Sequence, residues 1–216
     1  MGGRRIAIVI PAFNEAKTIG DIVIHVSRFG TAVVVDDGSS DSTSDIAEGV
    51  GAIVVRHALN RGYDCALNSG FARAADFGCD YIISMDADGQ HDADALPTFI
   101  KALDDGADVV IGIRDHFQRF AEYFFAFVAS VFWKIKDPLC GMKGYTIGLY
   151  RELGHFDSYD SIGTELAIFA ARRQKRIQQV AIRTRPRLDK PRFGNRFRSN
   201  VRILTALVSA FGARAR

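Results

Sequence analysis

The chain has 216 residues, 48% hydrophobic and 25% charged. That is enough apolar material for a substantial core and too much for a disordered chain. Three scattered cysteines, Cys65, Cys79 and Cys140, form no Cys-x-x-Cys pair, which fits a reducing compartment and argues against a disulfide framework or a zinc cluster. The net charge of +3 conceals a division: residues 1–171 carry −10 and residues 172–216 carry +13. The basic part suits anionic lipid or a phosphorylated ligand, or is simply a solvated face. Nucleic acid is not expected, because the rest of the chain is acidic and carries no nucleic-acid-binding motif.

In chain order, a first strand is expected at Ile6–Ile10, running into Pro11-Ala12-Phe13-Asn14-Glu15. A helix-like stretch from Ala16 to Arg28 follows. A second strand, Ala32–Val35, ends in Asp36-Asp37-Gly38-Ser39-Ser40-Asp41-Ser42-Thr43. Helical stretches come next at Ser42–Val50 and Asp64–Phe77. The strand Tyr81–Met85 ends in Asp86-Ala87-Asp88-Gly89-Gln90-His91, and a helix is expected over Asp92–Leu103. The run Val109–Ile111 ends in Gly112-Ile113-Arg114. Strands alternating with helices predict a mostly parallel α/β sheet with helices on both faces. A last helix is expected from about Ser199, where Val201, Leu204, Thr205, Leu207 and Val208 have helical spacing. The whole chain, 1–216, reads as one domain. The N-terminus lacks a signal-peptide pattern, and no run reaches the roughly 18 apolar residues of a membrane span.

In such sheets ligands collect at the carboxyl ends of the strands. Asp86 and Asp88, on a turn at one such end, offer hard oxygen ligands for Mg²⁺ or Mn²⁺ beside a bound phosphate. The plainer alternative is an ordinary polar turn. Residues 117–133 hold 8 of the chain's 23 aromatic residues. The segment 115–136 suits a membrane interface or a groove for an isoprenoid tail, with a helix packed on the sheet or at a dimer contact as the competing reading. Arg114 and Arg119 flank it, and arginine's planar fork suits an acceptor phosphate. Residues 183–216 form a basic C-terminal segment.

Pro11-Ala-Phe-Asn-Glu15, the Asp36–Thr43 stretch, Asn60-Arg61-Gly62 with Asn68 and Gly70, and Asp86–His91 follow one another in an order and spacing that resembles family 2 glycosyltransferases. The later segments are most similar to the dolichyl- or polyprenyl-phosphate sugar synthase branch: Gly112-x-Arg114, Asp137–Tyr145, Glu165 and Arg192-Phe193-Gly194-Asn195-Arg196. That last motif departs from the family's Arg-x-x-Gly-x-Ser-Lys.

The resemblance implies a GT-A fold and an inverting, metal-dependent transfer of one sugar from a nucleoside-diphosphate sugar. Asp37 is implied to meet the base, with Pro11, Asn14 and Glu15 shaping the pocket and Arg61 near the ribose. Asp88 is implied to ligate the metal with Gln90 as helper, and Asp86 to face the ribose or an outer shell. Arg192 and Arg196 would close over the pyrophosphate. The acceptor expected is a polyprenyl phosphate at the cytoplasmic membrane face, the chain attached peripherally to an anionic surface. A sugar hydroxyl of a lipid-linked or envelope glycan is the alternative, with Glu165 as base; Glu165 could equally be a helix-start acid. An inactive nucleotide-sugar-binding scaffold is the rival outside catalysis.

Overall fold

The computed structural model describes residues 3–89, 93–117, 119–184 and 196–212, the side chains of 196 and 197 excepted. The strands are β1 (Ile6–Ala12), β2 (Thr31–Asp36), β3 (Ile53–Arg56), β4 (Tyr81–Ser84), β5 (Val109–Arg114), β6 (Lys143–Thr146) and β7 (Ile177–Ile182). The α-helices are α1 (Ile19–Val26), α2 (Thr43–Gly49), α3 (Tyr63–Asp76), α4 (Leu96–Asp104), α5 (Phe120–Trp133), α6 (Ile147–Leu153), α7 (Glu165–Arg172) and α8 (Arg196–Gly212). They build one sheet in the order β3-β2-β1-β4-β6-β5-β7. All neighbours are parallel except around β6, which runs antiparallel to both β4 and β5.

The pleat explains why strands buried on both faces read as unbroken apolar runs. Ala7 and Val9 of β1 point to a core shared with α3, α5, α6, α7 and α8. Ile6, Ile8 and Ile10 point to the other face, packed by α1, α2 and α4. Helices therefore cover both faces, as the strand–helix alternation predicts. Gly70 fixes how closely α3 approaches: a Cβ there would lie 2.3 Å from Val9 Cγ1.

Three strands go beyond the sequence expectation. β3 and β6 have only four residues each, and β6 contains Gly144. β7 is a half-exposed edge strand, IQQVAI, with polar residues in its middle. The expected helix start at Asp92 lies outside the described residues; a short 3₁₀ turn, Ala93–Ala95, leads into α4.

The aromatic segment resolves into two faces of α5. Ala121, Phe125, Ala129 and Trp133 are buried in the core, while Phe120, Tyr123, Phe124, Phe127 and Phe132 are exposed. The buried side agrees with a helix packed on the sheet, and the exposed aromatic side is left open to solvent. No helix among the described residues is long and apolar enough to cross a membrane.

Candidate active site

Chain direction changes between β1 and β4. The chain moves outward from β1 through β2 to β3, then returns to place β4 on β1's other side. A crevice opens outside the carboxyl ends of strands at such a switch point. The ends of β1, β2 and β4 bring Pro11–Glu15, Asp36–Thr43 and Asp86–Gly89 to that one edge.

The first two of these loops are stitched together. Asn14 takes a left-handed backbone, φ 54°. Its N–H donates to Ser39 Oγ at 2.8 Å, and its Oδ1 accepts from Ser40 N at 2.8 Å. Glu15 N donates to Thr43 Oγ1 at 2.8 Å, and the Glu15 side chain is buried. Asp36 accepts from Ser39 N at 2.9 Å and from the Ser44 hydroxyl. Pro11 sits inside β1, paired in register with Val35. Loop N–H groups buried without partners would be costly, and these side chains supply the acceptors that no ladder provides.

Asp37 is the hub of the next loop. Its carboxylate accepts from Arg61 N at 2.8 Å, Gly62 N at 2.7 Å and His57 Nδ1 at 2.7 Å. His57 Nε2 in turn lies 2.9 Å from Ser69 Oγ. Three of the roughly four acceptor positions of a carboxylate are thus taken. Asp37 fixes the 57–62 loop and keeps about one position for a ligand. Arg61 contributes its backbone to this bond, while the residue itself is exposed.

Asp86 and Asp88 are half-buried, with Ala87 buried between them. The Ala87 carbonyl accepts from Thr18 Oγ1 at 2.8 Å, so the start of α1 pins the turn. Asp86 Oδ1 accepts from Tyr63 Oη at 3.1 Å. Gly141 is required beneath it, since a Cβ there would lie 2.1 Å from Asp86 Oδ2. Behind the turn lies Lys143, a buried ammonium that donates to the Gly163 carbonyl at 2.8 Å. Burial pulls its pKa down to about 8, and neighbouring acids including Asp137 and Asp86 oppose that pull. Gln90, His91, Arg192 and Asn195 lie outside the described residues, as does the side chain of Arg196.

Arg114 and Arg119 come together around buried acids. Arg114 makes a two-pronged contact to Asp137, Nε–Oδ2 2.8 Å and Nη2–Oδ1 2.9 Å, and lies 3.2 Å from Glu122 Oε2. Arg119 Nη1 donates to Glu122 Oε1 at 2.9 Å. Burial disfavours the Arg114 cation, yet its bonds to Asp137 outweigh that and leave its pKa raised. Two arginines against two carboxylates leave little net charge. What the pair offers is oriented donors: Arg114 Nη1 and Arg119 Nε and Nη2 have no hydrogen-bond partner among the described residues, the Arg114 guanidinium lying over the Phe117 ring at 5.3 Å.

Glu165 stands at the first position of α7 with its carboxylate occupied. It accepts from Ser158 N at 2.5 Å and Ser158 Oγ at 2.8 Å, and lies 3.1 Å from His155 Nε2. Glu165 therefore stands at a helix start, where both sequence readings place it. Sequence reasoning passed over Tyr63, His57, Lys143, Asp137 and Glu122 as site residues. Asp137 and Lys143 stood inside a quoted motif, but nothing along the chain signals that an acid 23 residues away holds Arg114.

The chain matches the family model "Glycosyl transferase family 2" over residues 7–151. An uncharacterised protein of Methanocaldococcus jannaschii is 32% identical over 83% of this chain and 81% of its own length. A dolichyl-phosphate hexose transferase of Haloferax volcanii is 30% identical over 84% of this chain and 83% of its own. Among solved structures, glucosyl-3-phosphoglycerate synthase of Mycobacterium tuberculosis in complex with Mn²⁺ and UDP-glucose superposes with a TM-score of 0.77. It covers 98% of this chain and 80% of the synthase at 22% identity, a likeness of fold that confirms the expected GT-A architecture. The stitched loops at the switch point lie within the matched span, and the chain belongs to glycosyl transferase family 2.

Proposed function

We propose that this glycosyltransferase moves one sugar, with inversion at the anomeric carbon, from a nucleoside-diphosphate sugar to a polyprenyl phosphate at the cytoplasmic face of a membrane. The observation that carries the donor half is the Asp86–Asp88 turn, two half-buried carboxylates held at the β1–β4 crevice by Thr18. That donor set suits a hard divalent cation, Mg²⁺ or Mn²⁺. Asp88 would hold it with Gln90, while Asp86, bonded to Tyr63, faces the ribose or an outer shell. When bound, the ion supplies charge neutralisation to the leaving nucleoside diphosphate. The Haloferax relative bears the name of a dolichyl-phosphate hexose transferase, and the Mycobacterium neighbour was crystallised with Mn²⁺ and UDP-glucose; both names support the reading.

The chain's own residues divide the remaining work. Asp37, with its fourth acceptor position, receives a donor from the base while holding the 60–62 backbone against the ribose. Pro11, Asn14 and Glu15 form the pocket wall. Arg192 and Arg196 close over the pyrophosphate. On the acceptor side, Asp137 and Glu122 aim the spare N–H groups of Arg114 and Arg119 at the acceptor phosphate. An alkyl phosphate has a second pKa of about 6 and is largely dianionic at neutral pH, so it attacks without a base. The occupied carboxylate of Glu165 agrees with that acceptor better than with a sugar hydroxyl.

A panel of nucleotide sugars with Mn²⁺ in a thermal-shift assay finds the donor, since a ligand that binds only the folded chain raises its stability. Transfer from that donor to a short, water-soluble polyprenyl phosphate then tests the reaction. Product is expected, and chelation of the metal should stop it. Transfer that persists in chelator would overturn the metal role, and transfer only to sugar hydroxyls would overturn the acceptor.

A further inference from the structure

Among the described residues, twelve large apolar side chains are exposed, and ten of them lie on α5 and α8. The two helices lie side by side, with Phe132 packed edge-on against Phe211 at 5.1 Å and Trp133 5.0 Å from the same ring. On α5, Phe120, Phe124, Phe127 and Val131 recur at helical spacing along one outward stripe; Phe120 is 83% and Phe127 68% exposed. On α8, Val201, Leu204, Val208 and Phe211 do the same, with Val208 71% exposed. A continuous apolar face of this kind marks an interaction surface rather than ordinary scatter.

The charges around the face select its occupant. The only acid on α5 is Glu122, which is buried and bonded to Arg119. The sequence of α8 has no acid at all. Lys134, Lys136 and Arg198 are exposed around the two helices. One exposed acid, Asp160, lines the cleft that also holds Arg198 and Arg202. Aromatic residues on one side of a helix with cations at its margin are the pattern of a segment lying in the headgroup region of a bilayer. A second copy of this chain fits less well, because pairing the face with itself would bring like charges together.

We infer that α5 and α8 together form a docking surface for an anionic lipid bilayer, both helices lying flat in its interface. The inference deepens the lipid-phosphate reading and rests on it for its use, though the surface chemistry stands alone. α5 starts six residues after β5 ends at Arg114, so its N-terminal end lies at the carboxyl edge of the sheet. α8 starts beside the same region, where Arg202 bonds Asp64 on the first turn of α3. A chain docked this way presents its crevice at the headgroup level. The acceptor can then be glycosylated with its tail still in the membrane.

Co-sedimentation of the full chain with extruded vesicles tests this without any acceptor present. Vesicles containing phosphatidylglycerol should bind the protein at low salt. Binding should weaken with added salt, and with pure phosphatidylcholine, because part of the attraction is electrostatic. The double variant Phe127→Glu with Val208→Glu should lower partitioning about 100-fold, since two apolar anchors become like-charged with the lipid. Ile24→Glu, at an exposed position of α1, should bind as the wild type does. Transfer to the short soluble polyprenyl phosphate should be unchanged in the double variant, which shows that it is folded. Undiminished vesicle binding by the double variant would overturn the inference. So would a wild-type dimer in solution, without vesicle binding, that the double substitution dissociates. If vesicles bind as expected but no polyprenyl phosphate accepts sugar, the docking surface stands and the acceptor reading falls.

Discussion

The proposed donor edge and the proposed acceptor edge of this enzyme spend their polar acceptors differently. At the donor edge the carboxylates of Asp36 and Asp37, with the amide oxygen of Asn14, accept from backbone N–H groups of irregular loops. At the acceptor edge Asp137 and Glu122 accept from guanidinium groups. The first arrangement fixes the shape of a pocket whose floor has no hydrogen-bond ladder of its own. The second fixes the direction of cationic donors and cancels most of their charge. On the proposed reading a nucleotide meets a preformed backbone cavity with two further carboxylates, Asp86 and Asp88, at its mouth. On the same reading an acceptor phosphate meets aimed N–H donors with little long-range field. On that reading the net positive charge of the C-terminal sequence is left for the membrane surface.

The largest effect that sharpens this contrast is on turnover. Asp88→Ala should lower the transfer rate by about 10³-fold or more, because it removes the principal proposed ligand of the ion that neutralises the leaving group. Its melting temperature should stay close to wild type. A rate within tenfold of wild type, measured in saturating Mn²⁺, would break the division between shaping acids and ligating acids.

The acids that shape rather than ligate should show the opposite signature. Asp137→Ala leaves the buried Arg114 without its two-pronged partner and should cost about 3–5 kcal/mol of stability in urea unfolding. Asp37→Ala strands three donors, two of them backbone N–H groups, and should cost about 3 kcal/mol while weakening nucleotide binding. If Asp137→Ala left stability unchanged but abolished transfer, the acceptor edge would be built like the mouth of the donor site.

Much of this was legible in the sequence, and the limits have physical causes. Unbroken apolar runs mark strands buried on both faces, so β1, β2, β4 and β5 could be read directly. β6 could not, because four residues containing a lysine and a glycine carry no periodicity. The donor loops were legible as motifs, yet their acids look alike in one dimension. Asp37 and Asp88 are each an acid after an apolar run, and only the fold shows that Asp37 is nearly saturated. The pairing of Arg114 with Asp137 depends on β5 lying beside β6 and was not readable at all. Likewise the two outward stripes of α5 and α8 could be read separately, but not their meeting at Phe132 and Phe211.

A pH experiment probes the join between the two edges, where α3 meets the 157–164 loop. Asp64 accepts from Gly163 N at 2.7 Å and from Arg202 at 3.1 Å. Burial, with Asp157 nearby, raises its pKa from 3.8 to about 6. Between those values the folded chain keeps a proton that the unfolded chain has released. This group's contribution is therefore full below about pH 4 and is lost as pH rises through about 6, by up to about 3 kcal/mol. Asp64→Asn should remove that slope while keeping the acceptor for Gly163 N. Subtracting urea-unfolding free energies of the variant from wild type across pH 4 to 7 isolates it; a flat difference would mean that Asp64 is ionised throughout.

The smallest expected effect bears on the acceptor itself. Glu165→Gln keeps an oxygen that can accept from Ser158 N, so the start of α7 should lose only about 0.5–1 kcal/mol. With a phosphate acceptor the transfer rate should stay within about threefold, because a dianion needs no proton removed. A general base would behave otherwise, its loss costing on the order of 10²-fold or more. The two cases also differ in pH profile. A base gives a rising limb that disappears in the variant, whereas a phosphate acceptor gives a limb near its own second pKa that the variant retains. A large rate loss in Glu165→Gln, with donor binding intact and the rising limb gone, would make the acceptor a hydroxyl. The Ser158 and His155 contacts would then be the resting partners of a base that releases them when the acceptor binds.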